Sequence, residues 1–489
     1  MRMIASTSWI PLLAPVLLAV IIASKYPHIF WEQPCPSSST TKEALVAFPA
    51  GGGGEHWDAL FRNISIDPCE CFSKEYDQAR SRFLQAAKQI EGAELYSLPI
   101  VSRSIVKEDK NQDDESVSSY YTTDIVVLPG TPNAGLVVHS SGTHGVEGYA
   151  GSAIQIAFLQ AWAKIFSTQQ SKPDLQERPT IILIHAVNPF GMARFRRFNE
   201  NNVDLNRNGL EPHVFPEYAQ HHYNRENYQR FSPAFNPPHA PTLWSTYVGY
   251  WQRILWLAAK HGMASLKAAM VAGQFHNPRG IFYGGARLEP SLHKLDEWLT
   301  DYLGSSQQHR RRKYPVVTWL DVHTGLGPFG QDILLTGALS TDTDDHRAYL
   351  RNELRTWHPE AHTSEDESGD SSSSSPATKG GTSQGYENVV TIKRYFVKFF
   401  DATQKPLMLT QEFGTLPIAL VGRALVVENA AFQYLPPSQA LTWAQRYLRP
   451  AFYPQHPRWR RMVLERGLQT LLQSIQRCSS VVSSAVAEE

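Results

Sequence analysis

The sequence predicts an α/β fold: a mixed, mainly parallel central sheet with helices on both faces, preceded by an apolar N-terminal segment. Three observations predict it. Short β-branched runs recur through the body of the 489-residue chain, helical stretches separate many of them, and four of the runs end in polar, glycine-containing turns. Strands that alternate with helices form parallel sheets covered on both sides. The composition leaves enough apolar residues for a sizeable core. Lys+Arg and Asp+Glu both number 46, so no global field favours nucleic acid.

In chain order, Arg2 precedes an uncharged run from Trp9 to Ala23, and Lys25 closes it. That length lies between a signal-peptide core and a full membrane span of about 20 apolar residues. Residues 1–30 are therefore expected to be a signal anchor or a cleaved signal peptide. The protein would then be membrane-anchored in the secretory pathway, or secreted if the segment is removed. The sequon Asn63-Ile64-Ser65 agrees with that route. So does the grouping of Cys35, Cys69 and Cys71, in which Cys35 could bridge to either of the others. Residues 31–71 read as a linker, rich in Pro, Ser, Thr and Gly at first and carrying the run Gly51–Gly54.

A helix is expected after Phe72, with Tyr76, Ala79, Phe83, Ala86 and Ala87 on one face. The predicted strands are Asp124–Leu128, Leu136–His139, Thr180–Val187, Val316–Val322, Ile333–Thr336 and Leu407–Thr410. Ala150–Ile165 and Leu243–Ala269 read as helical. Residues 362–388, dominated by Ser, Gly, Asp, Glu and Thr, read as a disordered insertion within the body 72–455. Residues 456–489 read as a C-terminal helix and tail.

The four turns carry the chemistry. Leu136-Val-Val-His-Ser runs into Ser141-Gly-Thr-His-Gly-Val-Glu-Gly148, and Ile181-Ile-Leu-Ile-His-Ala-Val into Asn188-Pro-Phe-Gly191. Val316-Val-Thr-Trp-Leu runs into Asp321-Val-His-Thr-Gly325, and Leu407-Met-Leu-Thr into Gln411-Glu-Phe-Gly-Thr415. Ligands of open α/β sheets bind beyond the carboxyl ends of the strands, so clusters far apart in sequence can converge there. His144 and Glu147 form H-x-x-E, which lets an imidazole and a carboxylate reach one ion from a single turn. His323 would complete two His and one carboxylate, the donor set of catalytic Zn2+ with a position left for water.

H-x-x-E after a strand, N-P-x-G, Asp204-Leu-Asn-Arg207, a D-x-H turn and a late strand-end Glu, in that order, resemble the zinc carboxypeptidase superfamily. The resemblance spans roughly residues 72 to 450. The strings G-T-H-G-V-E-G, G-I-F-Y-G-G and Q-E-F-G-T look like an uncharacterised branch of it. The resemblance implies a catalytic domain over 72–455, with zinc held by His144, Glu147 and His323. It implies that Glu412 accepts the proton of the attacking water and delivers it to the leaving amine. Asn206 and Arg207 would bind a substrate carboxylate. Arg197 would stabilise the oxyanion, with Arg194 and Arg196 competing for that role. Asp204 would support its turn, and Asp321 either backs His323 or caps its strand.

Other features stay open or are set aside. The carboxypeptidases use a loop tyrosine before the catalytic Glu, and Tyr386 and Tyr395 are the upstream candidates. Gln274–Gly285 is a substrate loop containing His276, Arg279 and Tyr283, or a structural turn. Gly381-Thr-Ser-Gln-Gly385 matches G-x-S-x-G, but Ser383 lacks the strand that an elbow requires. His139 and His185 sit inside strand-like runs and are expected in the core or behind the ligands, not as ligands themselves. Three activities follow: a peptidase acting at a peptide's C-terminus, a deacylase of N-acyl amino acids, or a zinc-binding pseudoenzyme.

Overall fold

The computed structural model describes residues 45–47, 54–102, 120–167, 178–220, 224–304, 313–336, 352–357, 362–363 and 390–479. The uncharged N-terminal run, nearly all of the Ser-rich insertion, Ser383 and Tyr386 lie outside them.

Strands β1 (Val46–Ala47) and β2 (Ser65–Ile66) form a small antiparallel pair. The main sheet contains β3 (Glu94–Ser102), β4 (Tyr120–Leu128), β5 (Leu136–Ser141), β6 (Thr180–His185), β7 (Val317–Thr324), β8 (Asp332–Thr336), β9 (His362–Thr363) and β10 (Leu407–Phe413). Their order is β3-β4-β6-β5-β7-β10-β8-β9. The central four, β6-β5-β7-β10, are mutually parallel. Antiparallel pairings of β4 with β6 and of β8 with β10 flank them.

The strand sequences read as continuous apolar runs because both faces are buried. Val126, Leu128, Ile181 and Leu183 point into one core, while Ile125, Val127, Ile182 and Ile184 point into the other. Among the helices of the first core are α1 (Gly54–Phe61), α2 (Tyr76–Lys88), α3 (Gly148–Ser167) and α9 (Pro457–Ser479). The second core holds α7 (Pro290–Leu303), through Leu292, Leu295 and Leu299, and the short helix Ile392–Phe396. Helices α4 (Arg225–Phe235), α5 (Tyr250–His261) and α6 (Met263–Ala272) pack on one another, and α8 (Ile418–Tyr434) follows β10. All six expected strands are present, and the buried residues of α2 are the five predicted from its periodicity.

Three expectations need correction. Residues 54–71 are not a linker: the Trp57 ring stacks on Trp162 with centroids 6.0 Å apart, and Phe61 stacks on Phe158. Trp57 Nε1 also donates to Ser479 Oγ at 3.2 Å, so this segment and the C-terminal helix close on each other. Helix α9, the expected C-terminal helix, in turn packs on α3 with Gly467 against Ile154 and so belongs to the core. The expected helix 243–269 is interrupted at Gly262, whose φ of 86° belongs to the left-handed region. Two residues assigned to the insertion, His362 and Thr363, pair with β8 as an edge strand. Cys69 is disulfide-bonded, whereas Cys71 and Cys478 are free and buried.

Candidate metal centre

Parallel pairing brings the carboxyl ends of β5, β6, β7 and β10 to one edge of the sheet, and the candidate site is built there. Strand β5 ends at Ser141. Gly142, with φ 71°, turns the chain, and Gly145–Glu147 forms a single 3-10 turn ahead of α3. This turn is fastened to the chain after β6. Gly145 N donates to Arg197 O and Val146 N to Arg196 O, while Asn188 Nδ2 donates to Arg197 O. Gly145 lies so close to Gly191 that a Cβ would collide with its backbone, and a Cβ on Gly191 would in turn meet the Asn188 side chain.

His144, Glu147 and His323 converge and are buried. Their ligand atoms lie within 4.8 Å of one another. The two Nδ1 atoms are 3.1 Å apart. Glu147 Oε1 is 3.0 Å from His144 Nδ1, and Oε2 is 3.3 Å from His323 Nδ1. Two nitrogens each about 2.0–2.1 Å from a tetrahedral ion would stand roughly 3.3 Å apart, so the donor set fits a divalent metal such as zinc.

The outer nitrogen of each imidazole faces a carboxylate. His144 Nε2 is 3.1 Å from Asp204 Oδ1, and His323 Nε2 is 2.6 Å from Asp321 Oδ2. This fixes both rings with Nδ1 inward, and a carboxylate behind the outer nitrogen is the support typical of metal-bound histidine. Asp321 is itself held by Ser140 Oγ at 2.7 Å and by Thr143 Oγ1, and Ser140 accepts from Trp319 Nε1. Asp321 therefore backs His323 and is not merely a strand-end cap.

The electrostatics follow from these contacts. Burial alone would raise the Glu147 carboxyl, but His144, His323 and Arg197 outweigh it and hold it well below the usual range. Burial opposes charge on His323, yet Asp321 and Glu147 push it up to about 10. A dication would take the place of that proton. Burial, then the neighbouring Glu147 charge, raises the Glu412 carboxyl, with His323 and Arg197 pulling the other way.

Glu412 stands directly across from His323 in the β7–β10 register and accepts from Leu326 N at 3.1 Å. Arg197 bridges Glu147 Oε1 at 2.8 Å and Asp204 Oδ2 at 3.1 Å. The other two arginines point elsewhere. Arg196 is buried against Glu428 at 2.6 Å and over the Phe432 ring, and Arg194 donates to Pro437 O.

Asp204 caps the short helix Leu205–Asn208 through Asn206 N. Asn206 Oδ1 accepts from Ile392 N, and Arg207 Nη1 donates to the carbonyls of Asn206 and Val390. The segment Gln274–Gly285 is a structural turn that braces this region. Asn202 Nδ2 donates to Pro278 O and Gly280 O, Asp204 N donates to Tyr283 O, and Asn208 Nδ2 donates to Gly284 O. Its Arg279 reaches Gln433 instead of the metal centre. Tyr395 packs in the second core with Lys398 over its ring, so it is not a free loop tyrosine.

His139 and His185 are core residues, as expected. Gln155 Nε2 donates to His139 Nδ1, and Ser152 Oγ pairs with His185 Nε2. Sequence reasoning missed the Asp204–His144 contact, which joins residues 60 apart, and the Ser140 and Thr143 hydroxyls behind Asp321. The i, i+2 spacing of Asp321 and His323 on one strand face was the available signal for their pairing.

A mixed sheet with a His-Glu-His cluster at its strand ends agrees with the class implied by the motif order, the zinc carboxypeptidases. Residues 72–466 match the family described as Protein of unknown function (DUF2817), and the chain belongs to that family. No curated protein matches it. Among solved structures it is similar to thrombin activatable fibrinolysis inhibitor, with 10% identity and a TM-score of 0.38 over 78% of this chain and 75% of that one. It is also similar to a metallo-carboxypeptidase from Burkholderia cenocepacia, with 12% identity and a TM-score of 0.36 over 80% and 73%.

Proposed function

We propose that the protein is a zinc-dependent hydrolase of amide bonds whose substrate carries a carboxylate on the leaving side. The convergence of His144, Glu147 and His323, each imidazole backed by its own carboxylate, carries this reading. A zinc ion held by His144, Glu147 and His323 would supply Lewis acidity for polarising a carbonyl and acidifying water. Glu412, across from His323 in the β7–β10 register, takes a proton from the attacking water and passes it to the leaving nitrogen. Arg197, at the rim of the ligand cluster, donates to the oxyanion that develops on the carbonyl oxygen. Asn206 and Arg207 hold the substrate carboxylate, since a guanidinium can grip it with two hydrogen bonds.

A peptide's C-terminal residue and an N-acyl amino acid both present that carboxylate beside an amide. Purified protein incubated with both classes, with products read by mass, separates the alternatives. Loss of C-terminal residues identifies a carboxypeptidase, and release of an acyl group identifies a deacylase. Zinc retained with neither reaction would overturn hydrolysis in favour of a metal-binding pseudoenzyme. The uncharged run Trp9–Ala23 is proposed to hold the protein in a membrane of the secretory pathway.

A further inference from the structure

Away from the metal centre, helix α5 buries Tyr250, Trp251, Ile254 and Leu257 against its neighbours. On its outer side Leu255 and Trp256 are exposed beside Gln252 and Lys260, and further exposed apolar residues flank the helix. Leu243, Trp244, Leu255, Trp256 and Met263 are each 57–65% exposed and fall within residues 243–263. Ile418, more than half exposed, begins the helix that Tyr250 holds through its hydrogen bond to Ala419 O. Grouped exposed apolar residues mark a contact surface.

Charge indicates what that surface meets. Residues 227–288 contain six Lys and Arg and no Asp or Glu, although the whole chain is balanced at 46 of each. Lys260 stands at the patch, its Nζ 5.1 Å from the centroid of the Trp256 ring. A second copy docking here would bring like charges together, whereas an anionic lipid surface complements them. Indole side chains favour the boundary between headgroup and acyl chain. Among the described residues no helix is long and apolar enough to cross a membrane, so this element would lie on a bilayer and not span it.

We infer that the exposed apolar stretch 243–263, with Trp244 near its start and Trp256 on α5, is a docking surface for an anionic phospholipid bilayer. It is separate from the N-terminal run and does not depend on the chemistry of the metal centre.

The test uses the full chain in vesicles of brominated phosphatidylcholine with phosphatidylserine, where bromine quenches indoles that enter the bilayer. The chain has 12 tryptophans, and the W244S/W256S double variant keeps the N-terminal run and the metal centre. The wild type should be quenched more than the double variant by about two indoles' worth. Omitting phosphatidylserine should shrink that difference. Equal quenching of the two proteins would overturn the inference. So would lipid-free self-association of the wild type that the double variant abolishes, because it would assign the face to a second copy.

Discussion

Two pairs of buried histidines sit on neighbouring strands of the same sheet, and their surroundings make them opposites. His144 and His323 stand at the ends of β5 and β7, with Asp204 and Asp321 behind them and Glu147 between them. His139 and His185 lie a few residues away in β5 and β6 with only neutral partners, Gln155 and Ser152. Burial then dominates and pushes both down to about 4, whereas the carboxylates push His323 up to about 10. The two histidines that can hold a cation combine a strand-end position with a carboxylate behind the ring, and the other two lack that carboxylate.

That contrast can be broken experimentally. The largest effect is expected from ligand removal: His144→Ala should lose bound metal and all measurable turnover, while His139→Gln should keep both. Equal behaviour of the two variants would erase the distinction. Next comes the carboxylate behind the ring. Asp321→Asn should weaken metal affinity by about 10–100-fold, the usual cost of losing such a partner, and competition with a graded chelator series would measure it. An unchanged affinity would mean that Asp321 serves the strand and not the site. Arg207→Lys is a milder change. It should raise KM for carboxylate-bearing substrates, with kcat less affected, because lysine cannot form the paired contact.

The smallest effect concerns the neutral pair and is read in stability. His139 and His185 resist protonation when folded, with pKa values near 4 against an ordinary 6.5. In acid the unfolded chain therefore binds protons that the folded chain refuses. Their contribution is fully present above about pH 6.5 and is lost as pH falls toward 4. His185→Gln should flatten that part of a denaturation-versus-pH curve; a curve of unchanged slope would show that His185 does not titrate on unfolding.

The same contrast shows what a sequence reader can see. The strands β4, β5, β6, β7, β8 and β10 were legible because each is an apolar, β-branched run, and the ligands were legible because each closes such a run. Strand β3 was not: Glu94-Leu-Tyr-Ser-Leu-Pro mixes polar residues with a proline, which an edge strand tolerates and a pattern search rejects. The packing of Trp57 and Phe61 was hidden behind a Pro, Ser, Thr and Gly composition, although their spacing already placed them on one helix face. Among the arginines, sequence favoured Arg197 only narrowly. Phe195, with φ 52°, helps turn the chain between Arg194 and Arg197, and no local pattern shows which side chain then faces the site.

The most direct measurement is the zinc stoichiometry of the purified wild type, Glu412→Gln and His323→Ala. About one zinc per chain is expected in the first two proteins and none in the third, with Glu412→Gln inactive despite its metal. A wild type that binds no divalent metal, or a His323→Ala protein that keeps its full complement, would contradict this metal site.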